Sequence, residues 1–182
     1  MDLIFSRDNS ENATISLATG QLVYEVYTED STSSSEPTMI RKFQDPGHPP
    51  VEIGQVKQRL FHSDICQMWE RDIRPTREGW LSSDRSFTSL VDGQQYYWKK
   101  ESSKATLTDE FENIVAIREK SHSGFRKKKS PAKLLIMPEG IPIVDEIVVT
   151  WVYYEQQCEE EAEVTKAVSK GVGEAIKAAG ES

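Results

Sequence analysis

Cysteine and histidine are both scarce in this chain, and each scarcity removes a class of chemistry. Two cysteines in 182 residues, Cys66 and Cys158, cannot build the disulfide framework of a small secreted scaffold. The three histidines, His48, His62 and His122, have no Cys or acidic partners at metal-ligand spacing and read as surface residues. GxSxG, the Gly-rich phosphate loop and HExxH are missing, so no catalytic residue, metal ligand or cofactor is assigned. Basic charge is in short supply as well. The chain has 22 Lys and Arg against 30 Asp and Glu, a net charge of −8. That balance excludes a non-specific nucleic-acid binder, which needs a basic surface.

Long apolar runs are absent too. The longest, Ile143 to Tyr154, contains Asp145 and Glu146 and falls short of the roughly 20 residues of a transmembrane helix. The opening MDLIFSRDNSEN has no basic start followed by an apolar run, so it is not a signal peptide. These absences together lead us to expect an intracellular, cytoplasmic protein with free thiols and no transmembrane segment.

What is present centres on PIVDEIVVTWVYYEQQCEEEA, Pro142 to Ala162. Pro142 suits a first helical turn, where its missing N–H costs nothing, and two acids follow near the positive end of the helix dipole. At 100° per residue Ile143, Ile147, Trp151 and Tyr154 share one side. Val144 and Val148 widen it, and Val149, Val152 and Tyr153 reach the other. A helix apolar nearly all round is a buried one. The rival is a strand, since IVVTWVYY is β-branched and aromatic. Two features favour the helix over about 143–160: the run flows without a turn into helix-favouring EQQCEEEAEV, and no hairpin partner follows. Ile143, Ile147, Val148, Trp151, Val152 and Tyr154 are its expected core contacts.

Ahead of it the pattern is β throughout. Leu3 to Phe5, Ala13 to Leu17, Gln21 to Tyr27 and Met39 to Phe43 read as strands, with a hairpin at Thr19-Gly20. Val51 to Val56 follows, with Gly54 at a bulge. Ile65 to Glu70 alternates, Arg74 to Asp84 is irregular, and Asp92-Gly93 joins SFTSLV to QQYYWKK in the clearest hairpin. Ala105 to Thr108, Asn113 to Arg118 and Ala132 to Met137 complete about eleven or twelve short antiparallel strands. A closed barrel wrapped round the one helix would bury it and remove exposed edges.

Three segments carry a family likeness: MDLIFSRDN with ATGQLVYEV, the central DGQQYYWK, and LLIMPEGIPIVDEIVVTWVYYEQ. Through them the chain, over about residues 1 to 157, resembles a fungal domain of unknown function numbered 6593, found in mushroom-forming basidiomycetes. The resemblance implies membership of the tubby C-terminal-like superfamily, with LURP-one-related proteins and phospholipid scramblases. The fold it implies is a β-barrel round a hydrophobic C-terminal helix. It implies no catalytic residue. Tubby proteins bind phosphoinositides on a basic surface, and no residue here matches that surface position by position.

The basic residues of this acidic chain are concentrated at one place, Arg126, Lys127, Lys128 and Lys129 with Lys133. A solvated loop is the plain reading; an anion site for a lipid headgroup or acidic partner is the functional one. Asp109, Glu110 and Glu112 read as a solvated turn, and Cys66 as a core thiol. From Glu155 onward seven acids and three lysines give −4, half the net charge. Residues 163–182 place Val164, Val168, Val172, Ala175 and Ala179 at helical spacing, weakened by Gly171 and Gly173. They read as a frayed or disordered tail, or as a weak amphipathic helix for a membrane or partner. The expected protein is thus one domain, 1–162, plus a tail. It serves as a non-enzymatic binding or scaffold module; an anionic-lipid module is the alternative, and a small-molecule enzyme the least supported.

Overall fold

A computed structural model describes residues 1–29, 36–44, 47–58, 63–79, 82, 84–101, 104–122 and 130–180, with side chains as far as 169. Among the described residues, thirteen strands precede the helix. The first seven are β1 Asp2–Phe5, β2 Ala13–Leu17, β3 Leu22–Thr28, β4 Thr38–Lys42, β5 Val51–Lys57, β6 Ile65–Met68 and β7 Arg71–Asp72. The others are β8 Thr76–Arg77, β9 Arg85–Thr88, β10 Gln95–Glu101, β11 Lys104–Thr108, β12 Ile114–Glu119 and β13 Lys133–Ile136. A 3₁₀ turn over Pro138–Ile143 leads into α1, Val144–Gly180. Pro142 therefore sits in the 3₁₀ turn rather than in the first α-helical turn.

All thirteen strands lie in one antiparallel sheet, ordered β7-β6-β5-β4-β3-β2-β1-β13-β12-β11-β10-β9-β8. Each half of the chain is a meander. The halves join where β1 meets β13, with Leu3 opposite Leu134. The two edges, β7 and β8, are separated in sequence only by Ile73 to Pro75. The sheet therefore curls until its edges are nearly neighbours, but the expected closed barrel is not formed. Backbone donors flanking the two edge strands bond within their own side of the sheet. Ile73 N–H bonds the Cys66 carbonyl, Arg74 N–H bonds Asp72 Oδ1, and Glu78 N–H bonds the Asp84 carbonyl. Pro75 has no N–H to offer.

Strand count exceeds the sequence expectation by β7 and β8, each two residues long. The Asp92-Gly93 hairpin also has a longer loop than two residues: Ser89 N–H bonds the Gln94 carbonyl, and Gly93 turns with φ 72°. The bulge expected at Gly54 is present. Ile40 pairs with Gly54 but Arg41 with Glu52, which leaves Ile53 extra.

The helix fills the sheet. Ile143, Ile147, Val148, Trp151, Val152 and Tyr154 are all buried, as expected, and so are Val149, Thr150 and Tyr153 on the remaining faces. Trp151 meets Phe5 edge-on at 4.7 Å and Tyr154 stacks on Trp98 at 5.7 Å. The Trp98 indole donates to Thr150 Oγ1 (3.1 Å), which satisfies both polar groups in the core. A Cβ at Gly54 would stand 2.8 Å from both a Val149 methyl and the Gln67 carbonyl, so the strand passes the helix at glycine distance. Burial ends at Cys158, yet the helix continues to Gly180. It thus runs well past residue 160, through a segment read as frayed or disordered.

Candidate functional site

The curled sheet has two poles, one at each end of the buried helix. At the pole where the helix leaves, polar groups are bonded to one another. Arg118, 2% exposed, lies over the rings of Phe5 (4.5 Å) and Trp151 (4.9 Å). It donates to Asp8 and to the Glu119 carbonyl. Burial opposes ionisation of Asp8, but the Ser121 N–H and the Arg118 charge outweigh it, and the carboxyl titrates below its ordinary range. Lys120 pairs with Glu155 (2.6 Å), and Gln156 donates to the Ser10 carbonyl and Thr38 Oγ1. At the seam a cleft of about 490 Å³ holds Arg74, Arg77 and Arg85. Glu161 of α1 bridges Arg77 and Arg85, while Tyr153 and Gln157 donate to Asp64. Arg77 and Arg85 thus tie the helix to β8 and β9, and Asp64 ties it to the segment before β6.

The pole where the helix begins is different in kind. Leu90 N–H donates to Glu146 (2.7 Å) and Lys42 pairs with Asp145 (2.8 Å), which ties the surrounding turns to the first helical turn. Burial raises the Glu146 carboxyl above its ordinary value. Around this frame, apolar side chains face outward. Met1, Ile141, Ile114, Phe111 and Val91 sit on the ends of β1, β12 and the turns between; Val51 and Trp69 sit on the ends of β5 and β6. Phe111 is 75% exposed and Trp69 50%. Among the described residues, the only other exposed large hydrophobics are Val164 and Val168 of α1.

Two of the turns at this pole share a pattern. Trp69 (φ 49°) and Glu70 (φ 64°) form the entire link between β6 and β7, with Met68 opposite Arg71. Phe111 precedes Glu112, also left-handed at φ 64°. Each turn thus presents an aromatic ring next to a glutamate in a conformation that favours glycine or asparagine. Asp109 organises the second turn by accepting from the Phe111 and Asn113 N–H groups and from the Asn113 amide. It is a structural turn, as expected. Asp2, Glu52, Glu70, Asp92, Glu110 and Glu139 are exposed at the same pole, against Arg71 as its exposed basic residue.

Of the residues singled out from sequence, some are described and some are not. Arg126, Lys127, Lys128 and Lys129 lie outside the described residues, as does His62. Lys133 is half-buried and bonds Glu119 (3.2 Å), which also bonds Lys104 (3.1 Å); it belongs to a cross-strand ladder. Cys66 is fully buried and burial pushes its thiol up, as a core thiol requires. Among the described residues no cluster of three metal-ligating side chains occurs. None of their helices is long and apolar enough to cross a membrane.

The geometry defines a class: an antiparallel meander clasping a helix buried on every side. The chain belongs to the family of unknown function DUF6593, whose model it matches over residues 8–160. No curated protein and no solved structure matches it.

Proposed function

We propose that this protein is a non-enzymatic scaffold module that docks a basic, amphipathic segment of a protein partner on the pole where α1 begins. The observation that carries this reading is the coincidence, at one pole, of outward apolar side chains and exposed acids. Exposed apolar residues scattered singly need no explanation, whereas a collection rimmed by charge marks an interaction surface. The sign of the charge selects the occupant. Anionic lipid would be repelled by this rim, and a segment of leucines and lysines complements it. We further propose the tubby-like arrangement as its frame; the curled sheet around a central helix supports that.

Titration of the full chain with a synthetic lysine–leucine amphipathic peptide tests the reading. Binding should weaken about tenfold or more in a Phe111→Ser, Ile114→Ser variant, and should weaken further as salt rises. Equal affinity of variant and parent overturns it. The lipid alternative is the other outcome. The four residues from Arg126 to Lys129 could supply at most about 4 kcal/mol at an anionic membrane, which is millimolar binding. Sedimentation with anionic vesicles that is lost when those four become serine, combined with no peptide binding, would transfer the function to lipid.

A further inference from the structure

Beside the Trp69-Glu70 turn lies a cleft of about 270 Å³, walled by Trp69, Glu52, Glu70, Gln55 and Gln67. Its size decides what can enter. Metabolite pockets span roughly 300–1,000 Å³, so this volume suits a single inserted side chain better than a whole metabolite. The walls are held in place: Gln55 Nε2 donates to Gln67 Oε1 at 2.7 Å, and the Trp69 N–H donates to the Ile53 carbonyl. On the floor, Gly54 has no room for a Cβ against Gln67 and Val149, so the cleft rests on the buried helix. Its charge has one sign, with two carboxylates and no basic residue in the lining. Neither Glu52 nor Glu70 has an ion pair among the described residues, whereas at the other pole Asp8, Glu155 and Glu161 are each paired.

The turn itself runs against backbone preference. A two-residue link with both φ values positive is the type I′ geometry, which favours Asn-Gly. Trp-Glu occupies it here, and the half-exposed indole gains little from burial that could offset the strain.

We propose that this cleft takes one arginine side chain of the docked segment, its guanidinium lying over the Trp69 indole and between the Glu52 and Glu70 carboxylates. A planar cation stacks on indole while its edge donates to carboxylates, which a compact ammonium does less well. The inference rests on the docking proposed above, and names the contact that selects among basic segments.

The test uses the full chain and two amphipathic leucine peptides that differ only in carrying arginine or its neutral isostere citrulline. The parent should prefer the arginine peptide about tenfold. Trp69→Asn with Glu70→Gly should abolish the preference while holding or raising the melting temperature, because Asn-Gly suits the turn. Glu52→Gln with Glu70→Gln, which keeps the indole, should reduce the preference in the same direction. A turn variant that still discriminates between the peptides overturns the cleft. Phe111→Ser separates the two readings: it should weaken both peptides equally and leave their ratio intact. If it weakens neither while the turn variant removes the preference, the broad docking surface fails and the cleft stands. If the parent binds neither peptide, both fail.

Discussion

The two halves of α1 have similar backbones and opposite surroundings. From Val144 to Cys158 the helix is enclosed, and its β-branched and aromatic residues would favour a strand if propensity alone decided. Beyond Cys158 it is Glu-, Ala- and Lys-rich and suited to a helix by propensity, and from Glu159 to Ser169 it has little burial. The first half is helical because a helix satisfies its own backbone groups, and the interior of a curled sheet offers no other partners for them. The second half is helical because its residues prefer it. One element thus obtains its helicity from two sources, and perturbations should separate them.

The largest effect is expected at Trp151. Its replacement by Ala should cost about 3–5 kcal/mol, read as a fall in the denaturation midpoint. A loss below about 1 kcal/mol would mean that the enclosed half does not depend on its packing. Next comes Asp8→Ala, which leaves the Arg118 guanidinium buried against Trp151 with one counter-charge fewer. About 3 kcal/mol is expected. Because the Asp8 carboxyl titrates below its usual 3.8, its contribution is present above that value and disappears as pH falls through the folded-state value. Acid titration of parent and variant should therefore converge.

A smaller effect of opposite sign belongs to Glu146. Its carboxyl titrates above the ordinary 4.5, so across that window the folded chain keeps a proton that the unfolded chain has lost. Stability falls as pH rises through the window. Glu146→Gln removes this slope, so the melting temperature of the variant minus that of the parent should grow as pH rises from the ordinary 4.5 through the raised folded-state value. A difference independent of pH would show that the burial of this carboxylate has no electrostatic cost. The smallest effect is expected from truncation after Lys166, which removes helix beyond the Glu161 bridge. The melting temperature should change by no more than a degree or two, within the roughly ±0.5 kcal/mol of surface changes. A large fall would mean that the second half has a packing partner.

Much of this architecture was legible. The helix face could be read because an all-round apolar pattern of this length has one physical use. The long strands could be read because they alternate. β7 and β8 could not, since two residues carry no alternation. β6 was read through Glu70 because Trp-Glu is not a turn dipeptide, and only the left-handed backbone reveals the turn. The docking pole was hidden for a related reason. Phe111, Ile114 and Val91 look like ordinary strand or turn residues in one dimension, and their convergence with Trp69 at one end exists only after the sheet has curled. The visible signal was an aromatic residue followed by Glu in the Asp109 to Asn113 turn; Trp69 gave no such signal. The basic run, by contrast, stood out because charge can be counted without a fold.

The pairing of β1 with β13 has a consequence for the order of events during synthesis. Each meander can assemble from near neighbours as it emerges, but Leu3 must wait for Leu134, and the helix that fills the interior comes later still. Until then both half-sheets carry bare apolar faces and open edges, the condition under which chains associate wrongly. The joining of the first strand to the thirteenth is the longest-range pairing of the sheet, the kind of contact that low-contact-order folding avoids.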